Sequence, residues 1–181
     1  MTTLLVDPTA KPTGVPAATM VERPATLDGL VVGLREFWAG YPRYTAVLER
    51  LLRERYSLRG VERVDGTHPR TGRVLERWEQ FGRDVDVAVV GFGACGGCAP
   101  WAAMDAMELE ARGVPTVVLV SHELADVARR TSDAKGYDLR YVLLTQYLDD
   151  LDDVDIEQLA KATVDDIVDA LIRPASTRQT A

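Results

Sequence analysis

Short, continuous runs of apolar residues alternate with segments of helical periodicity, and this alternation constrains the fold more than any other feature. The clearest run is VDVAVVGFG (85–93), which is rich in β-branched residues and ends in glycines. Continuous apolar runs are typical of strands that are buried on both faces of a parallel sheet. The predicted strands are 29–34, 60–66, 85–93, 114–121 and 139–146, and the predicted helices are 43–56, 71–84, about 100–113, 122–136 and 155–172. The sequence therefore predicts an α/β, Rossmann-like fold with a mostly parallel five-stranded sheet and helices on both faces.

The domain organisation follows from length and from the position of the prolines. The chain has 181 residues, which suits one domain with a substantial core. Four prolines fall in the first 25 residues, a composition that disfavours a helix. We therefore predict an extended N-terminal arm (1–25), a single α/β domain (26–173) and a frayed tail (174–181).

Charge and hydropathy limit the classes of partner. The 28 acidic and 21 basic side chains give a net charge of −7, which argues against nucleic-acid binding. No apolar run approaches the roughly 20 residues that cross a bilayer, and no basic segment followed by an apolar stretch opens the chain. A cytoplasmic protein is expected. Its expected partners are a small-molecule substrate and a protein reductant or partner subunit, with a homo-oligomer as one option.

Both cysteines of the chain lie in one glycine-rich loop after the clearest strand, in the segment GFGACGGCAPW. Cys95 and Cys98 form a CxxC motif just before a predicted helix, whose N-terminus favours a thiolate. The two intervening glycines, Gly96 and Gly97, let the backbone turn tightly, so that the two sulfurs can meet, and Gly93 before them is a candidate support residue. The motif predicts a nucleophilic Cys95 and a resolving Cys98. The competing interpretation is a pair of buried cysteines that only pack.

Two other chemistries fit the same loop. Gly91, Gly93 and Gly96 match the dinucleotide fingerprint GxGxxG, but this fingerprint usually follows the first strand and needs a well-placed acidic residue. Cys95 and Cys98 could also form a zinc site with His68 and His122, although the spacing matches no compact zinc motif. We expect no cofactor, and neither a dinucleotide nor zinc to bind tightly.

The segment VVGFGACGGCAPWAAMDAMELEARGVPTVVLV resembles the UGSC family, which is named for selenocysteine-Gly-Ser-Cys. Cys95 falls at the selenocysteine position, and the other matching residues are Gly96, Cys98, Trp101, Asp105, Glu108 and Gly113 to Thr116. VDPT (6–9) and ATLDGL (25–30) resemble the family's opening, so that the likeness extends to about Gly136. The resemblance implies a Rossmann-like domain with a redox-active or nucleophilic thiol, and it includes a distant similarity to selenocysteine subunits of glycine-reductase-type enzymes.

Three differences from the family pattern surround the cysteines. Ala94 replaces an acidic residue, Gly97 replaces serine, and Ala99-Pro100 replaces hydroxyl residues. A KPN-like segment after the first strand is also missing. These changes remove polar groups from beside the sulfur and leave the dithiol in place.

Four further residues are candidates for support roles. Asp105 is a candidate proton acceptor for Cys98, although a solvated helix face is the simpler interpretation. Trp101 either covers the sulfurs or belongs to the core. His122 follows a strand of the same sheet. Arg35 and the following segment FWAGYPRY are candidates for holding a small anionic or aromatic substrate.

Overall fold

The computed structural model of the protein describes residues 18, 20–38, 40–66 and 70–172. Five strands form one parallel sheet in the order β2-β1-β3-β4-β5. The elements are β1 (Val31–Glu36), α1 (Tyr41–Arg55), β2 (Gly60–Val64), α2 (Gly72–Asp84), β3 (Val87–Gly93), α3 (Cys98–Ala111), β4 (Thr116–Ser121), α4 (Ala125–Asp133), β5 (Tyr141–Leu144) and α5 (Asp153–Ile172). Two short 3₁₀ turns, His122–Leu124 and Leu148–Asp150, precede α4 and α5.

The helices cover both faces of the sheet and enclose two apolar cores. α1 and α5 pack on one face, around residues such as Leu48 and Ile167. α2, α3 and α4 pack on the other face, around residues such as Phe81 and Ala102. The predicted Rossmann-like fold, with a parallel five-stranded sheet and helices on both faces, is confirmed.

Element boundaries differ from the sequence predictions by a few residues. α3 begins at Cys98 rather than near Pro100. A proline is tolerated there because the first backbone N–H groups of a helix have no partner within the helix. The helix predicted over 122–136 is a 3₁₀ turn followed by α4. None of the described helices is both long and apolar enough to cross a membrane.

The described part of the N-terminal arm is bound to the domain. Arg23 and Glu110 form a salt bridge of 2.7 Å with side chains only 2% and 1% exposed. Glu110 also accepts hydrogen bonds from the backbone N–H (2.7 Å) and hydroxyl (3.0 Å) of Thr116. The arm thereby joins the end of α3 to the start of β4. The tail predicted over 174–181 lies outside the described residues.

The strand order places two loops at one sheet edge. The chain moves outward from β1 to β2 and then returns past β1 to β3, so the direction reverses between β1 and β3. In open parallel sheets, ligands bind beyond the carboxyl ends of the strands at such a switch point. The segment after β1 and the cysteine loop after β3 both start there.

Candidate functional site

The cysteine pair lies between the end of β3 and the start of α3. Cys95 and Cys98 are joined by a disulfide, with their Cα atoms 5.0 Å apart. The backbone N–H of Cys98 donates a hydrogen bond of 3.0 Å to Cys95 Sγ. This N–H belongs to the first turn of α3, where backbone donors and the helix dipole favour negative charge. The arrangement would stabilise a thiolate on Cys95 when the pair is reduced.

The two sulfur-bearing residues differ in exposure. Cys95 is partly buried, whereas Cys98 is 9% exposed and is counted among the buried residues. Cys98 is the first residue of α3, and its neighbour Ala99 is fully buried. An attacking molecule therefore reaches Cys95 more easily than Cys98.

The glycines of the loop have different roles. A Cβ on Gly93 would lie 3.0 Å from Ala99 Cα and 3.0 Å from a methyl carbon of Val120, so Gly93 lets α3 start close to the sheet. A Cβ on Gly96 or Gly97 would meet no atom within 4 Å. The turn between the two cysteines is therefore open to the surroundings at Gly96 and Gly97.

In the structure, Gly91 and Gly93 of the dinucleotide fingerprint lie against other residues, and the zinc interpretation stays a prediction. The space beside Gly91 is filled by the ring of Tyr41, 2.9 Å from where a Cβ would lie, so Gly91 and Gly93 both serve internal packing. His122 is exposed, and His68 lies outside the described residues. Among the residues that are described, no group of three or more histidine, cysteine or acidic side chains is placed to hold a metal ion.

Asp105 is fully buried, which corrects the expectation of a solvated helix face. It accepts a hydrogen bond of 2.8 Å from Arg35 Nε and forms an ion pair with Arg70. Asp105 is the seventh residue after Cys98 along the helix, a rise of about 10 Å. Asp105 therefore lies too far away to take a proton directly from Cys98.

Arg35 is also buried, at 1% exposure, and its guanidinium is used inside the protein. Besides Asp105, it donates to the carbonyl oxygens of Glu36 (3.1 Å) and Gly66 (2.6 Å). Burial lowers the pKa of Arg35, and the charge of Asp105 opposes that shift. Arg35 therefore connects β1 to α3 through its bond with Asp105, and its buried guanidinium is not available to hold a substrate.

Trp101 and His122 remain beside the cysteine loop. Trp101 is half-buried and lies three residues after Cys98, at the end of the first turn of α3. β3 and β4 pair as far as Gly93 and Val120, so Cys95 and His122 each lie two residues beyond that pair. Cys95 and His122 therefore follow neighbouring strands at the same edge of the sheet.

A neighbouring carboxylate is also fixed at this edge. Glu123 accepts a hydrogen bond of 2.9 Å from the Ser121 hydroxyl. Its own backbone N–H, followed by the Ser121 hydroxyl, lowers the pKa of Glu123. The 3₁₀ turn before α4 therefore carries a negative charge just beyond the end of β4.

Sequence reasoning missed Arg70. Its guanidinium lies 3.9 Å from the centroid of the Trp78 ring and bonds to Glu108 at 3.2 Å in addition to Asp105. Arg70 follows a predicted strand in an irregular segment, where one more arginine carries no local signal. The signal that would have found it is the buried acid, which requires a cationic partner.

The fold and the bonded cysteine pair define a parallel α/β domain that presents a CxxC motif at a helix N-terminus. The chain belongs to the UGSC family, whose model matches residues 4–173. No curated protein matches the chain. Among solved structures, it is similar to a histidine-to-aspartate mutant of the flavo di-iron protein from Thermotoga maritima, with a TM-score of 0.42 and 10% identity. That match covers 78% of this chain and 37% of the other.

Proposed function

We propose that the protein is a thiol-dependent enzyme that uses Cys95 and Cys98 for redox chemistry on a small-molecule substrate. The observation that carries the proposal is the hydrogen bond of 3.0 Å from the Cys98 backbone N–H to Cys95 Sγ. A helix N-terminus can lower the pKa of a cysteine from about 8.5 into the range of about 3.5–7.5. A thiolate is therefore physically available near neutral pH.

The reaction follows from the different exposure of the two thiols. The Cys95 thiolate attacks a reducible sulfur of the substrate, forms a mixed disulfide and expels the first thiolate product. Cys98, held within reach, then attacks Cys95 Sγ, releases the second product and closes the disulfide. The two cysteine thiols lose two electrons and two protons, and the substrate gains both.

Turnover needs a second reactant to restore the dithiol. We propose a protein dithiol as that reductant, and a cytoplasmic location, where disulfides are mostly transient and catalytic. The open turn at Gly96 and Gly97 leaves Cys95 approachable for both the substrate and the reductant. A role as a non-catalytic partner subunit is the alternative that the experiments below separate.

The division of labour is tested by alkylation. The reduced protein is treated with iodoacetamide at mildly acidic pH, and the label is located by peptide mass spectrometry. We expect faster labelling of Cys95 than of Cys98. The matched control is the same protein in urea, where the advantage of Cys95 should disappear because helix α3 is lost.

Two variants complete the test. Cys95→Ser should abolish reduction of a small disulfide, and Cys98→Ser should accumulate a covalent adduct on Cys95. Faster labelling of Cys98 would show that the roles are reversed. Full activity of Cys95→Ser would show that the pair is structural and would favour the subunit role.

A further inference from the structure

An open pocket of about 470 Å³ lies at the carboxyl ends of β1 and β2, and we call it the β1–β2 pocket. Two aromatic side chains, Phe37 and Trp38, form part of its wall. The complete lining is Glu36, Phe37, Trp38, Pro42, Arg63, Asp65, Gly66 and Arg77. A concave site with an apolar wall and a few charged groups has the character of a small-molecule site.

The β1–β2 pocket lies close to the cysteine loop. Glu36, which lines the pocket, is paired with Gly91 of the adjacent strand β3. Cys95 is only four residues beyond Gly91, so at most about 14 Å of chain separates the two. A ligand that reaches Cys95 from the pocket therefore has to extend past Phe37 or Trp38 and across the end of β1 toward the end of β3.

The charged groups of the pocket are not equally available. The Glu36 side chain is 11% exposed and is engaged by Thr45 and Arg63. Arg77 and Asp65 form a salt bridge of 2.9 Å with side chains 59% and 70% exposed. Ion pairs this exposed are weak, so a carboxylate on a ligand can replace Asp65 at little cost.

One ring of the aromatic wall also contacts a buried arginine. The guanidinium carbon of Arg35 lies 4.8 Å from the centroid of the Phe37 ring. A cation this close to a ring is attracted to the ring face and helps to hold the ring in place. Arg35 therefore helps to fix the Phe37 ring as a flat surface against which the flat body of a ligand can stack, although Arg35 is not itself part of the pocket lining.

We propose that the β1–β2 pocket binds a small carboxylate with a flat, unsaturated body, with Arg77 as the residue that recognises the carboxylate. The proposal rests on the proposed function only in treating this ligand as the substrate of Cys95. Phe37 and Trp38 cover the flat body, and the reducible end of the ligand points toward the cysteine loop.

The first experiment measures binding without thiol chemistry. The oxidised protein is titrated with nitrobenzoate in a calorimeter. Arg77→Gln should weaken binding about fivefold, the size expected of one part-exposed ion pair. Arg83→Gln is the matched control, because Arg83 is an exposed arginine of the same helix that does not line the pocket. The proposal would be overturned if the unchanged protein, Arg77→Gln and Arg83→Gln bound nitrobenzoate with equal affinity. It would also be overturned if both variants bound nitrobenzoate equally more weakly than the unchanged protein.

The second experiment connects the pocket to Cys95. The reduced protein is mixed with dithiobis(nitrobenzoate), which is anionic, and separately with dithiodipyridine, which is neutral. The quantity compared is the oxidation rate with the anionic reagent divided by the rate with the neutral reagent. Arg77→Gln should lower this ratio about fivefold, and Asp65→Asn should raise it. An unchanged ratio in Arg77→Gln would show that the pocket does not serve Cys95. If dithiodipyridine failed to oxidise the cysteine pair, the proposed thiol function would be refuted. The proposal that the pocket binds a carboxylate would still stand or fall on the separate nitrobenzoate titration.

Discussion

Replacing Gly93 with alanine tests how α3 and the sheet hold the cysteine loop. The added Cβ would lie 3.0 Å from the Ala99 Cα, 3.0 Å from a Val120 methyl carbon and 3.4 Å from the Ala99 Cβ. Because one of these atoms is backbone, the strain cannot be relieved by a rotamer change, and the start of α3 has to move. Overpacking of this kind costs about 1–3 kcal/mol of the free energy of unfolding.

Gly96→Ala is the matched control, three residues along the same loop. Its Cβ would meet nothing within 4 Å, and Gly96 is not among the glycines with positive φ. We expect its stability to stay within about 0.5 kcal/mol of the unchanged protein. Urea unfolding measures both variants, with the midpoint expected to fall for Gly93→Ala at an unchanged slope.

A chemical measurement accompanies the unfolding experiment. If the start of α3 shifts, the Cys98 N–H moves away from Cys95 Sγ, and the Cys95 thiol should react more slowly at mildly acidic pH. Gly96→Ala should keep the original rate. Equal urea midpoints for Gly93→Ala and Gly96→Ala would show that a Cβ at position 93 fits against α3 without strain. The reasoning would then be refuted.

Two further predictions concern buried groups. Asp105→Ala should lower the free energy of unfolding by about 3–5 kcal/mol because it leaves Arg35 charged and buried, whereas Asp165→Ala, at an exposed ion pair, should cost less than about 1 kcal/mol in the same urea assay. Burial, opposed by the hydrogen bond with Ser132, raises the pKa of Tyr141 to about 12. An unfolded tyrosine ionises near pH 10, so stability from Tyr141 is intact below about pH 10 and is lost as the pH rises to about 12. Tyr141→Phe should lose less stability across that window, and an identical pH profile would contradict this assignment.

The sheet was predictable because its signal is local. Runs such as 85–93 are continuous and apolar, and continuity alone indicates a strand buried on both faces. The CxxC motif could be placed at a strand end for the same reason. The predicted helix and strand boundaries were less accurate. Helix α3 starts at Cys98 because the turn is completed within Gly96 and Gly97, so Pro100 lies in the first turn of the helix and is not its first residue.

The roles of the charged residues near the site were less predictable. The spacing of Asp105 and Glu108 fits a solvated helix face, and nothing local shows that Asp105 is buried against Arg35 and Arg70. These partners come from a strand and an irregular segment distant in sequence. Assigning a role to Arg35 from its position after an apolar run was insufficient, because a guanidinium at a strand end can point inward as readily as toward a ligand.

The salt bridge between Arg23 and Glu110 has a consequence for proteolytic trimming of the chain. Cleavage on the N-terminal side of residue 21 would leave the bridge intact. Loss of the chain through Arg23 would leave the buried Glu110 carboxylate, among the described residues, with hydrogen bonds from Thr116 alone. The penalty would fall at the end of α3 and the start of β4, at the sheet edge opposite the cysteines. Fragments beginning before and after Arg23 should therefore differ sharply in lifetime in the presence of a protease, even though both contain every residue of the candidate site.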